Sequence, residues 1–155
     1  MMSRSGPARR PAVILLAEDD PGDQELTRRA LEEGSISSEL HVVEDGEQAL
    51  DYLLRRGDYA DPARSPRPDL FLLDLNMPRI DGGQVLHEMK FHPECAGIPT
   101  VVLTTSRQEE DIIRSYDLGV KSFITKPVEF DEFIRVVRLL GEYWLELVSL
   151  PDGEG

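Results

Sequence analysis

Residues 70–83, LFLLDLNMPRIDGG, constrain this chain more than any other stretch. Four consecutive apolar residues, 70–73, form a run short enough for a strand covered on both faces. The run stops on a carboxylate, Asp74, and the turn residues Asn76, Pro78 and Gly82 follow at once. Strands covered on both faces belong to parallel sheets, and in an open sheet of that kind the strand C-termini face the crevice where ligands bind. Asp74 is therefore either a turn starter or a group delivered to a site.

Other apolar runs end the same way. Residues 12–17, AVILLA, end in Glu18-Asp19-Asp20, residues 99–103 run into Thr104-Thr105-Ser106, and the short run 122–125 finishes at Lys126-Pro127. Residues 40–43 make a further short strand before Glu44-Asp45-Gly46. Between the runs, apolar residues recur at helical spacing. Asp20-Pro21 reads as an N-cap with proline at the first helical position, followed by Leu26, Ala30 and Leu31 and closed by Gly34. Ala49, Leu50, Leu53 and Leu54 mark a second helix, and Val85, Leu86 and Met89 a third over about 84–91. Ile112, Ile113, Tyr116 and Leu118 mark a fourth, stopping at Gly119, and Phe133, Val136, Val137 and Leu140 a fifth within 128–150. Five alternations of strand and helix predict an α/β fold: a five-stranded parallel sheet, doubly wound, with helices on both faces. Residues 58–68, DYADPARSPRP, show no period and read as a long surface loop. The expected organisation is one domain over 12–150, with a flexible basic tail at 1–11 and a short tail at 151–155.

Charge and composition narrow the function. The formal net charge of -13 argues against nucleic acid or an anionic membrane as a direct partner. Cys95 is the single cysteine, which excludes an intrachain disulfide and a thiolate metal cage. No basic-then-apolar segment resembles a secretion signal, so the cytoplasm is the expected compartment. His87 and His92 lack sequence-adjacent ligand partners and read as solvated or capping residues rather than metal ligands. Glu18 and Asp19 repel each other unless a cation joins them. In the expected architecture Glu18/Asp19, Asp74, Thr104 and Lys126 reach one rim of the sheet. Three carboxylates suit Mg²⁺, while a lysine and a hydroxyl can receive phosphoryl oxygens. The chemistry favoured is phosphoryl transfer to Asp74 as nucleophile, with Lys126 paired to it at rest.

AEDDP after the first strand, LLDLNMPRIDG around the third, VLTTS ending the fourth and FITKP ending the fifth closely resemble the receiver domain of two-component response regulators, over about residues 12–148. The resemblance implies Asp74 as phosphoacceptor, Glu18 and Asp19 as acidic pocket residues, and the Asn76 backbone carbonyl as a further Mg²⁺ ligand. It also implies Thr104 as the switch hydroxyl, Phe123 as the switch aromatic, Lys126 as the phosphate-pairing lysine, and a cis bond between Lys126 and Pro127. Glu18 stands where many receivers have Asp, and Phe123 where Tyr is frequent. The loop at 58–68 and the ending EYWLELVSLP resemble regulators that accompany bacterial and cyanobacterial phytochrome histidine kinases. That narrower likeness implies a phytochrome kinase as phosphodonor, signalling through a protein surface, and a homodimer through the fourth helix, fifth strand and fifth helix. Tyr143, Trp144 and Leu147, part of an apolar surplus after Gly141, are the expected interface residues. The chain is thus expected to be a signalling phosphoacceptor rather than an enzyme.

Three rivals are weaker. A phosphatase or phosphotransferase of the strand-end aspartate type needs a second Asp two residues on, and Asn76 stands there. A flavin module would have its phosphate repelled by AEDDP. A phosphorylation-independent receiver-like interaction module would not need Asp74, Thr104 and Lys126 together.

Overall fold

A computed structural model describes residues 11–149, with side chains described for 11–140. The apolar runs form five parallel strands: β1 (Ala12–Ala17), β2 (Ser38–Val43), β3 (Leu70–Asp74), β4 (Thr100–Thr104) and β5 (Val120–Thr125). Their order across the sheet is β2-β1-β3-β4-β5. Five α-helices alternate with them: α1 (Pro21–Glu33), α2 (Gly46–Leu54), α3 (Gly82–Lys90), α4 (Arg107–Ser115) and α5 (Phe130–Ser149).

β1 and β3 are buried at every residue because both faces of the sheet are covered. Ile14, Leu16, Leu70, Leu72, Val101 and Ile124 pack with Ala30, Leu31, Phe133, Val136 and Val137 of α1 and α5. Leu15, Ala17, Phe71, Leu73 and Val102 pack the other way, with Leu50, Leu53, Val85, Leu86 and Ile113 of α2, α3 and α4. Alternate residues of one strand thus serve opposite layers, as the two-residue strand period requires.

Caps set where the helices begin. Asp20 accepts from the Asp23 N–H with Pro21 at the first position of α1, and Asp81 forms a reciprocal capping box with Gln84 at the start of α3. The glycine pair Gly82-Gly83 therefore opens α3, where the sequence places it in the preceding loop. α4 ends at Ser115 rather than running on to Gly119: Tyr116 caps it and Asp117 follows at φ 50°. β2 begins at Ser38 and β5 at Val120, both earlier than their apolar runs, since main-chain pairing needs no apolar side chain.

Other expectations on packing are corrected. Leu26 is 57% exposed, and Thr27 faces inward on α1 in its place, its hydroxyl bonded to the Asp23 carbonyl. Ile112 and Tyr116 are likewise exposed, leaving Ile113 as the buried residue of α4. The 58–68 stretch is a surface loop, as its lack of period predicts, and an ordered one. A 3-10 turn at Gly57–Tyr59 leads into it, Tyr52 donates its hydroxyl to the Pro66 carbonyl, and buried Ser65 donates to the Tyr59 carbonyl. The Tyr52 and Tyr59 rings lie 5.4 Å apart, so the loop folds back on α2. The sequence shows no period there because its order rests on main-chain acceptors. His87 packs edge-on to Tyr116, and His92 lies 3.5 Å from Glu88; neither joins an acidic cluster that could hold a metal. Tyr143, Trp144 and Leu147 lie outside the residues whose side chains are described, as do the tails at 1–10 and 150–155.

Candidate functional site

The connection from β1 leads to β2 on one side of it, while β3 lies on the other side and leads on to β4. A sheet wound this way opens a crevice between β1 and β3 at its C-terminal edge. Register then decides which residues meet there. Ala17 pairs with Leu73 and Asp74 with Leu103, so Glu18, Asp74 and Thr104 emerge side by side, and Thr104 pairs with Thr125 just before Lys126. The Lys126 N–H donates to the Thr104 carbonyl at 2.8 Å, and the Lys126–Pro127 bond is cis.

Three carboxylates converge in the crevice. Oxygens of Glu18, Asp19 and Asp74 lie within 4.8 Å of one another, with Glu18 and Asp74 each 1% exposed and Asp19 open to solvent. Lys126 crosses from β5 to meet them. Its Nζ lies 3.0 Å from Glu18 Oε1, 3.2 Å from Asp74 Oδ2 and 3.1 Å from Asp23 Oδ2. Asp23 is the partner that sequence reasoning missed, because only the first turn of α1 carries it to the lysine. The Asn76 N–H donates to Asp74 Oδ1 at 3.1 Å, so both oxygens of Asp74 are held. The Asn76 amide spans to the Thr105 hydroxyl at 3.4 Å, on the side where the crevice opens into a 620 Å³ groove against α4. Thr104 is buried, and its hydroxyl donates to Glu109 Oε1 at 3.0 Å. Phe123 is partly buried, with the Arg114 guanidinium 4.5 Å above its ring.

The electrostatics of the crevice are out of balance. Burial pushes the Glu18 carboxyl up to about 7, helped by the Asp74 charge and opposed by the hydrogen bond from Lys126. Burial alone would lower Lys126, but its hydrogen bonds to Glu18 and Asp23 and the charge of Asp74 outweigh this and hold it above its ordinary value. One ammonium therefore faces the three clustered carboxylates and Asp23. An all-oxygen donor set with excess negative charge fits a hard divalent cation.

A pH dependence follows. Between pH 4.5 and about 7 the folded protein retains a Glu18 proton that the unfolded chain has released. The associated stability is full below 4.5 and is lost as the pH rises through 7. In chelator, Glu18→Gln is expected to remove a stability loss of about 3 kcal/mol across that window relative to wild type. Urea unfolding of both proteins at several pH values checks this; parallel curves would contradict it.

A family model of the response regulator receiver domain matches residues 14–138. Response regulator Rcp1 of Synechocystis sp. is 43% identical over 141 residues, covering 91% of this chain and 94% of that protein. Its Mn²⁺-bound crystal structure superposes with a TM-score of 0.71 at 43% identity, over 88% of this chain and 96% of that one. The bacteriophytochrome response regulator RtBRR gives a TM-score of 0.77 at 44% identity, over 85% of this chain and 79% of the other. The phosphorylated cyanobacterial phytochrome response regulator RcpA gives 0.72 at 42% identity, over 88% of this chain and 95% of the other.

Proposed function

The chain belongs to the response regulator receiver family, and from that premise we propose that Asp74 accepts a phosphoryl group, with Mg²⁺ bound by Glu18, Asp19, Asp74 and the Asn76 carbonyl. The observation that carries this reading is Lys126 Nζ standing 3.2 Å from Asp74 and 3.0 Å from Glu18 inside a cluster of carboxylates. A lysine so placed can leave Asp74 for a phosphoryl oxygen without leaving the site.

Each residue has a task in the transfer. Asp74, oriented by the Asn76 N–H, attacks phosphorus; a P–O bond forms as the P–N bond of a phosphohistidine donor breaks, and the departing imidazole takes a proton from water. Lys126 and Thr104 then donate to the phosphoryl oxygens. Bound Mg²⁺ offsets the repulsion between the anionic nucleophile and the anionic donor. The chain acts as a signalling phosphoacceptor, its only catalysis being its own phosphorylation and dephosphorylation.

Similarity to RtBRR and RcpA, a bacteriophytochrome and a cyanobacterial phytochrome response regulator, supports a phytochrome histidine kinase as the donor. Radiolabel is expected to pass from such an autophosphorylated kinase to this chain faster than from unrelated kinases, and only with Mg²⁺ present. Equal transfer from all donors would remove the phytochrome assignment. No helix among the described residues is long and apolar enough to cross a membrane, which fits a cytoplasmic partner of such a kinase.

The signal leaves through a surface. When Thr104 moves toward the phosphoryl group, Phe123 turns inward beneath Arg114, and the α4–β5–α5 face changes. Leu139 of α5 is 63% exposed, which supports a homodimer through that face extended by Tyr143, Trp144 and Leu147. Light scattering is expected to give twice the chain mass; a monomer at high concentration, with and without a phosphoryl mimic, would contradict it.

A further inference from the structure

The start of α4 is wired through the Thr104 hydroxyl. Ser106 and Glu109 have the spacing of a capping box, in which each side chain bonds the other residue's N–H. One half is present: the Glu109 N–H donates to Ser106 Oγ at 3.2 Å. The other half runs through a third residue. The Ser106 N–H donates to Thr104 Oγ1 at 3.1 Å, and Thr104 Oγ1 lies 3.0 Å from Glu109 Oε1. The hydroxyl has a single proton and two acceptors within reach, the Glu109 carboxylate at 3.0 Å and the Ser106 carbonyl at 3.2 Å. The carboxylate is both nearer and the stronger acceptor, so it takes the proton.

We propose that Glu109 is a positioning residue that holds the Thr104 hydroxyl in the cap of α4 until Asp74 is phosphorylated. This rests on the phosphoacceptor reading of Asp74. Thr104 is 1% exposed, so its hydroxyl cannot trade protein partners for bulk water, and the proton it would give to a phosphoryl oxygen is committed to Glu109. When Thr104 leaves, the Ser106 N–H and the Glu109 carboxylate are freed together. They are the two missing partners of an ordinary capping box and can bond directly, so α4 keeps a cap while its first turn changes geometry. Glu109 lines the groove beside Asn76 and Ile112, which puts that change at the open side of the crevice.

The test is calorimetric titration of the full chain with beryllofluoride in Mg²⁺, as a phosphoryl mimic. Glu109→Ala is expected to bind it about tenfold more tightly than wild type, since no charged acceptor then competes for the Thr104 proton. Glu109→Gln keeps an acceptor without the charge and is expected to tighten binding less. In a Thr104→Val background, Glu109→Ala is expected to change affinity by less than about twofold, because the hydroxyl that couples them is gone. Binding by Glu109→Ala no tighter than wild type would overturn the proposal. So would equal tightening by Glu109→Gln, or tightening that persists in Thr104→Val, since either shows a plain charge effect. A wild-type chain that binds no beryllofluoride would overturn the phosphoacceptor reading along with it, whereas wild-type binding with none of these shifts overturns the Glu109 assignment alone.

Discussion

Asp74→Asn is expected to take up no phosphoryl group from acetyl phosphate while melting about 3 °C above wild type in chelator, a gain of roughly 1 kcal/mol. The two effects have one cause. An amide is too poor a nucleophile to attack phosphorus, and its single oxygen keeps one of the two bonds that Asp74 accepts on separate oxygens, from Lys126 at Oδ2 or from the Asn76 N–H at Oδ1. What disappears is one negative charge from a cluster in which Glu18, 1% exposed, is already pushed up to about 7. Relieving that repulsion stabilises the fold and weakens divalent-ion binding by roughly tenfold or more, since affinity follows the number of charged oxygen ligands. Thermal melts with and without Mg²⁺, alongside acetyl phosphate labelling, check all three. A variant that is labelled, or that melts below wild type in chelator, would contradict the assignment.

Gly46→Ala is expected to cost the fold about 3 kcal/mol, by overpacking rather than by any lost contact. A Cβ at Gly46 would lie 1.8 Å from the Ile80 carbonyl oxygen and 2.6 Å from its carbonyl carbon. Main-chain atoms cannot rotate aside, so the loop from Asp74 to α3 would have to move. That loop is fastened at the same place by Arg79, which sits at φ 66° with its guanidinium 3.4 Å from Asp45 and 2.5 Å from Glu47. Displacing it should also slow phosphoryl uptake at Asp74. Gly22→Ala is the control: its Cβ would meet only Asp20 Oδ2, at 3.5 Å, and alanine in the first turn of α1 should gain about 0.5 kcal/mol. Urea unfolding of the two variants is expected to shift the midpoint in opposite directions. Equal stability of Gly46→Ala and wild type would show that the loop is not held against α2 as described.

The strand-end residues were legible because a buried strand declares its own end: the apolar run stops, and the next side chain is at the rim. Glu18, Asp74, Thr104 and Lys126 could therefore be placed together from four separate stretches, and the sheet order does bring them together. Residues that reach the site from inside a helix gave no such mark. Asp23 looks in sequence like an ordinary acid in the first turn of a helix, and only the fold puts it 3.1 Å from Lys126. Lys126 was placed at the rim by its strand, but its bond to Glu18, 108 residues earlier, has no mark in the sequence. Glu109 did carry a signal, the Ser-x-x-Glu spacing from Ser106, but that pattern predicts a helix start and is silent on the intervening Thr104 hydroxyl. The order of the 58–68 stretch was hidden for another reason: Tyr52 and Ser65 bind main-chain carbonyls there, and main-chain acceptors leave no trace in side-chain periodicity.

The most direct test of the account is to find the phosphorylated atom. Wild-type protein treated with acetyl phosphate and Mg²⁺ would be reduced with borohydride, which converts an aspartyl phosphate to homoserine, then digested and sequenced by mass spectrometry. Homoserine is expected at position 74, and lost when Mg²⁺ is chelated. Homoserine at Asp19 or Asp23, or none at any position, would contradict it.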